Sequence, residues 1–173
     1  MRPAIEFIKN RFGDMPLIGA EIGVAEGIHA KEIYQNLNFE RLYLIDIWEV
    51  YYCHKDGKSI KIYIPASGLE KVKETFKFSM NVTIIKADSV EISKKFEDGY
   101  FDFVYIDGNH DYEFVKKDIE AWYPKVKKGG VLCGHDYSNS EQPWEGVDKA
   151  VNEFAKEHNL QLNLGKIDWW FVI

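Results

Sequence analysis

Acidic residues close one apolar run after another in this chain. Glu21 stands in EIGVAEG, Asp46 ends LYLID, Asp88 ends IIKAD, Asp107 ends FVYID and Asp136 ends VLCGHD. The last two have histidine nearby, because YIDGNHDY (105–112) and GHDY (134–137) spell His-Asp-Tyr twice. His110 carries the side-chain type whose unperturbed pKa is nearest neutrality, which makes it the candidate general base. Asp107 and Asp136 are hard oxygen donors suited to Mg²⁺ or a similar divalent ion, and His135 is a candidate further ligand. Structural roles compete: His110 could cap a helix beginning near Asp111, and Asp136 could form a turn with loop amides.

A second constellation lies upstream. Gly23 and Gly27 let the backbone turn sharply and approach a ligand at a helix amino terminus. The dinucleotide fingerprint G-x-G-x-x-G needs glycine where this chain has Ala25, so a nicotinamide oxidoreductase is disfavoured. Glu21 would repel a pyrophosphate and welcome an ammonium group. Asp46 suits the two hydroxyls of a ribose. Asp88, with Ser89 beside it, suits an adenine amino group.

These residues need a scaffold that gathers strand ends. Strand-like runs at 16–24, 41–48, 81–88, 100–107 and 130–136 alternate with helix-like stretches. Ile5, Ile8 and Phe12 mark an opening amphipathic helix. Leu69, Val72 and Phe76 mark another, as do Val115, Ile119 and Trp122, and then Val147, Val151 and Phe154. The stretch 49–68 has no clear pattern. LQLNLGKI and DWWFVI end the chain as two strand candidates with no helix between them, an antiparallel pair closing an otherwise parallel sheet. This is an α/β chain with helices on both faces of its sheet, and such sheets bind ligands at the carboxyl ends of their strands. The two His-Asp-Tyr copies have different surroundings and are not a repeat.

The 173 residues fit one domain, and 46% apolar with 29% charged residues is a soluble globular composition. A net charge of −6 argues against a broad nucleic-acid surface, so a small molecule is the expected partner. No apolar run is long enough to span a membrane, and MRPAIEFIKNRF lacks the apolar core of a signal peptide. With two cysteines, Cys53 and Cys133, a reducing cytoplasmic setting is expected.

The motifs EIGVAEG, LYLIDIWE, ADSVE, FDFVYIDGNHDYEFVKKDI and KKGGVLCGHDY together resemble the class I S-adenosylmethionine-dependent methyltransferases. The resemblance is to small-molecule O-methyltransferases of the methyltransferase 24 or macrocin O-methyltransferase-like type, and it covers nearly the whole chain. Its most specific part is D-G-x-H-x-Y-x-x-V-x-x-D, from 107 to 118. It implies a Rossmann-like, seven-stranded, mostly parallel sheet with an antiparallel last strand, forming a single domain over 1–173. It implies S-adenosylmethionine as donor, with Glu21 and Gly23 along its methionine part, Asp46 on ribose, Asp88 with Ser89 near adenine, and Gly27 also in the cofactor site. It implies a hydroxyl acceptor activated by His110, with Asp107 and Asp136 holding a divalent ion or positioning the acceptor. His135 and Tyr137, flanking Asp136, depart from relatives that place a second oxygen ligand there.

Two other readings stay open on these residues: a cephalosporin hydroxylase-like enzyme, and a non-catalytic module that binds the donor. Acceptor choice is expected from 49–68 and 137–146, where the Tyr51-Tyr52 pair and Trp144 offer flat apolar contacts. A homo-oligomer is compatible with the sequence. His29, His54 and His158 fit no constellation and are expected at the surface. Alternation should point Trp169 and Trp170 to opposite faces.

Overall fold

The computed structural model describes residues 1–55, 58–62, 66–138 and 145–173. Its elements run α1 (Pro3–Phe12), β1 (Leu17–Ile22), α2 (Ile28–Asn36), β2 (Phe39–Asp46), β3 (Tyr51–Lys55), β4 (Lys58–Ile62), α3 (Ala66–Phe76) and β5 (Val82–Lys86). They continue α4 (Ser89–Ser93), β6 (Phe101–Ile106), α5 (Tyr112–Trp122), β7 (Val126–Gly134), α6 (Glu145–Glu157), β8 (Asn163–Gly165) and β9 (Asp168–Val172). Seven strands pair in the order β5-β2-β1-β6-β7-β9-β8. The first five are parallel, while β9 runs antiparallel to both β7 and β8. This is the expected Rossmann-like sheet with an antiparallel closing strand.

The strands are apolar on both sides because helices cover both faces. On one face Val115, Ile119 and Trp122 of α5 and Val151 and Phe154 of α6 pack with Ala20, Val104, Leu132 and Trp169. On the other, Ile5 and Ile8 of α1, Ile33 of α2 and Val72 of α3 pack with Leu42, Leu44, Phe103 and Tyr105. Trp169 belongs to the first core and Trp170 to the second, as alternation along a strand requires.

The stretch 49–68, expected to be irregular, holds a small antiparallel sheet of its own. β3 pairs with β4 from Tyr51↔Ile62 to Lys55↔Lys58. The sequence signal was the alternation in KSIKI after the dipeptide Asp56-Gly57, a frequent hairpin connector. Part of 137–146, including Trp144, lies outside the described residues.

A buried polar knot ties the first helix to the last strand. Asp168, 1% exposed, accepts the Ala4 N–H at 3.0 Å and the Tyr105 hydroxyl at 3.0 Å. Its Oδ1 also lies 2.6 Å from Nδ1 of His135. Replacing Asp168 by Ala would leave the buried Ala4 N–H without its acceptor and remove the carboxylate that the Tyr105 hydroxyl and His135 Nδ1 share. Asp168→Ala should therefore cost about 3 kcal/mol in urea unfolding, whereas Lys73→Ala, which breaks an exposed pair with Glu70, should change little.

Candidate functional site

The strand order reverses between β1 and β6, and a cavity of about 860 Å³ opens there at the carboxyl edge of the sheet. The loop after β1 forms its floor. Gly23 has φ +87, and a Cβ at this position would collide with the Asp107 carbonyl. Gly27, at φ +79, caps α2, where a Cβ would come within 2.9 Å of the Val72 side chain. Ala25 lacks glycine's freedom yet has φ 49. Asp46 secures this strained turn: its Oδ2 accepts the Ala25 N–H at 2.8 Å and its Oδ1 accepts the Trp48 N–H at 2.6 Å. The Trp48 indole N–H closes the circuit by donating to the Ala25 carbonyl at 2.8 Å. Burial pushes the Asp46 carboxyl up, against the pull of these backbone donors. The Val24 and Ile47 amides hold the same carboxylate, and Asp46 also lines the cavity.

Glu21 lies beside that loop, 1% exposed. Its Oε1 is 2.8 Å from Nδ1 of His29, while Oε2 is buried without a hydrogen-bond partner among the described residues. Desolvation raises the Glu21 pKa, and His29 opposes the rise. His29 is thus not the surface residue the sequence suggested. It is 8% exposed, with its ring 4.4 Å from that of Tyr105, and it lines the cavity. The missed signal was spacing: His29, Ile33 and Leu37 recur every four residues and share the buried side of α2. His54 and His158 are exposed, as expected.

Past β6 and β7, three of the candidate residues converge. Nε2 of His110 lies 2.8 Å from Asp136 Oδ2 and 3.6 Å from Asp107 Oδ1. One ligand atom from each of Asp107, His110 and Asp136 fits within a 4.8 Å span, a donor set of two carboxylates and one imidazole that suits a divalent ion. His135 is not part of it, being turned to Asp168 and to the Tyr105 hydroxyl at 3.4 Å. Asp136 adopts φ 61, a backbone position that Asp tolerates better than most residues.

No local pattern marks Arg2, whose guanidinium reaches Asp107 Oδ2 at 2.8 Å and the Tyr105 hydroxyl at 2.9 Å. Burial works against ionisation of Asp107, but His110 and Arg2 outweigh it and hold the carboxyl well below its usual range. Burial likewise opposes charge on His110, yet its hydrogen bonds to Asp107 and Asp136 push its pKa up to about 11. An imidazolium has no free lone pair, so with no divalent ion bound His110 is a proton donor to its two acids.

The β3–β4 hairpin is clasped to the same loop. Cys53 Sγ donates to Asn109 Oδ1 at 3.2 Å, Asn109 Nδ2 donates to the Tyr52 carbonyl at 3.0 Å, and His54 lies 2.7 Å from Asp111 Oδ2. Tyr51 joins the cavity wall, while Tyr52 is 54% exposed and does not line it.

At the wall made by α4 and α5, Asp88 is exposed and caps α4 by accepting the Glu91 N–H at 2.9 Å. Ser89 Oγ accepts the Trp122 indole N–H at 2.8 Å. Asp118, to which the sequence reading gave no role, is 7% exposed and lines the cavity with Asp88 and Ser89. Burial pushes its pKa up to about 7, partly offset by a hydrogen bond from Ser89.

Residues 20–137 match the family model described as "Methyltransferase domain". The chain is 28% identical over 152 residues to the uncharacterized protein R132 of Acanthamoeba polyphaga mimivirus, a match covering 85% of this chain and 65% of that protein. The fold matches CalS11, a TDP-rhamnose 3'-O-methyltransferase of calicheamicin biosynthesis, at 16% identity and TM-score 0.68, over 98% of this chain and 77% of that one. It matches the O-methyltransferase NovP at 15% identity and TM-score 0.66, over 97% and 78% of the two chains.

Asp118 carries a pH signature. Its folded pKa of about 7 exceeds the unfolded value of about 3.9, so the folded form binds the proton more tightly. The stability this contributes is complete below about pH 4 and is lost as pH rises through about 7. Asp118→Asn cannot ionise and keeps an acceptor for Ser89. It should melt close to the wild type at pH 4 and above it at pH 8, as read by thermal unfolding across that range.

Proposed function

The chain belongs to the class I S-adenosylmethionine-dependent methyltransferases, and from that premise we propose that it methylates a hydroxyl group of a small molecule. The observation that carries the donor half is the buried, unpartnered Oε2 of Glu21 in the wall of the cavity. A buried carboxylate oxygen with no donor is costly, and a ligand ammonium group would satisfy it. Gly23 lines the same cavity beside Glu21. Asp46 accepts from the ribose hydroxyls, and Asp88 and Ser89 border the purine. When bound, the donor supplies an electrophilic methyl group on a sulfonium.

Asp107, His110 and Asp136 take the acceptor end. An alcohol is a poor nucleophile at neutral pH, so its proton must be accepted or its pKa lowered. With His110 protonated, the carboxylate of Asp136 is the adjacent proton acceptor, and His110 fixes its orientation. Asp107, His110 and Asp136 are also the residues that would hold a divalent ion, which would act as a Lewis acid on the hydroxyl oxygen. Tyr51 and the hairpin exclude water from this end. A sugar hydroxyl is the acceptor favoured by the resemblance to CalS11, a TDP-rhamnose 3'-O-methyltransferase. We propose that residues 1–173 act as one catalytic domain, although the chain spans only 65% of the length of its curated relative.

Calorimetry tests the donor half: S-adenosylhomocysteine should bind one per chain, and Glu21→Gln should weaken it about tenfold or more. No binding at millimolar concentration would overturn the reading. For the acceptor half, His110→Ala and Asp136→Asn should each lower methyl transfer by about 10²-fold or more while leaving S-adenosylhomocysteine affinity within about threefold. Turnover that survives both changes would overturn the assignment. Chelator treatment followed by Mg²⁺ or Mn²⁺ addition separates the cation-assisted route, which loses and regains activity, from the cation-free one.

A further inference from the structure

The acid expected to meet the adenine amino group, Asp88, is poorly placed for it. It is exposed to solvent, and one of its oxygens is committed to the first turn of α4. Ser89 beside it is engaged as well, taking the Trp122 indole hydrogen and directing its own hydrogen to Asp118. Asp118 differs on every count. It is 93% buried by its 7% residual exposure, it lines the cavity, and among the described residues no cation pairs with it. The single hydrogen bond from Ser89 leaves most of a carboxylate's four acceptor sites unused.

A buried acid kept without a counter-charge in a ligand cavity needs a donor from the ligand. Phe114, one turn earlier on α5 and 51% exposed, presents an apolar surface at the rim of the same cavity. An acceptor in the wall and a flat apolar group at the rim together suit an aromatic heterocycle carrying an amino group. We propose that Asp118, rather than Asp88, accepts the exocyclic amino hydrogen of the donor's adenine and thereby selects a 6-amino over a 6-oxo purine. This rests on the donor reading above.

The test compares S-adenosylhomocysteine with S-inosylhomocysteine by calorimetry at pH 8, where Asp118 is mostly ionised and able only to accept. Wild-type protein should prefer the adenosyl compound by about tenfold or more, because a carboxylate facing a 6-oxo group is left without its hydrogen. Asp118→Asn should still bind the adenosyl compound, but its amide can turn its NH₂ to an oxo group, so the preference should shrink to about threefold or less. Asp88→Asn should keep the wild-type ratio. An unchanged ratio in Asp118→Asn, or a collapsed one in Asp88→Asn, would overturn the assignment while leaving the donor reading intact. Failure of the wild type to bind either compound would overturn the donor reading and this inference together.

Discussion

Two backbones approaching at the ends of β1 and β6 set the positions of nearly everything else. The Asp107 N–H donates to the Ile22 carbonyl at 2.7 Å, and Gly23 then passes against the Asp107 carbonyl with no room for a side chain. That contact fixes the loop after β1 on one side and the 107–112 loop on the other, so Glu21 and Asp107 open into the same cavity. A glycine at 23 is therefore demanded twice, by its positive φ and by its neighbour. The parallel register of β1 with β6, from Gly19↔Phe103 to Ile22↔Ile106, makes the approach reproducible.

Beneath the cavity, charges are arranged in a chain that crosses the fold. Arg2 joins Asp107 to the Tyr105 hydroxyl, Tyr105 joins Asp168, and Asp168 joins His135 and the amino end of α1. Burial and the nearby Asp168 drive the Tyr105 pKa well up, so its hydroxyl keeps its hydrogen. Isolated buried ions are unstable, but each member here has an oppositely charged or hydrogen-bonded neighbour. The network spans α1, β6, β7 and β9, and so couples the geometry of Asp107 to the packing of the closing strand.

The sheet was legible because its strands are short apolar runs ended by acids or glycine, and its helices alternate three- and four-residue apolar spacings. The carboxyl-edge acids were legible for the same reason. What escaped were features set by long-range packing. Arg2 reaches Asp107 across 105 positions of sequence, and no local pattern encodes that. His135 follows its strand toward Asp168, a partner contributed by β9. His29 was readable from its spacing with Ile33 and Leu37, but a polar residue on a buried face is easily assigned outward. Asp118 lay inside the most specific motif, yet its burial and its hydrogen bond from Ser89 come from α5 packing on α4, which spacing alone does not give.

The hairpin of β3 and β4 pairs only with itself within the described residues, and it meets the site through Asn109, Asp111 and the backbone of Tyr52. No strand of the main sheet depends on its pairing register, yet Cys53 of β3 is fully buried in the core with Ile22, Ile45 and Val104, so the hairpin is pinned to the frame by one face only. Changes along the outer strand of this hairpin can thus reshape the rim of the cavity, while β3 and the Gly23 loop keep their own anchors.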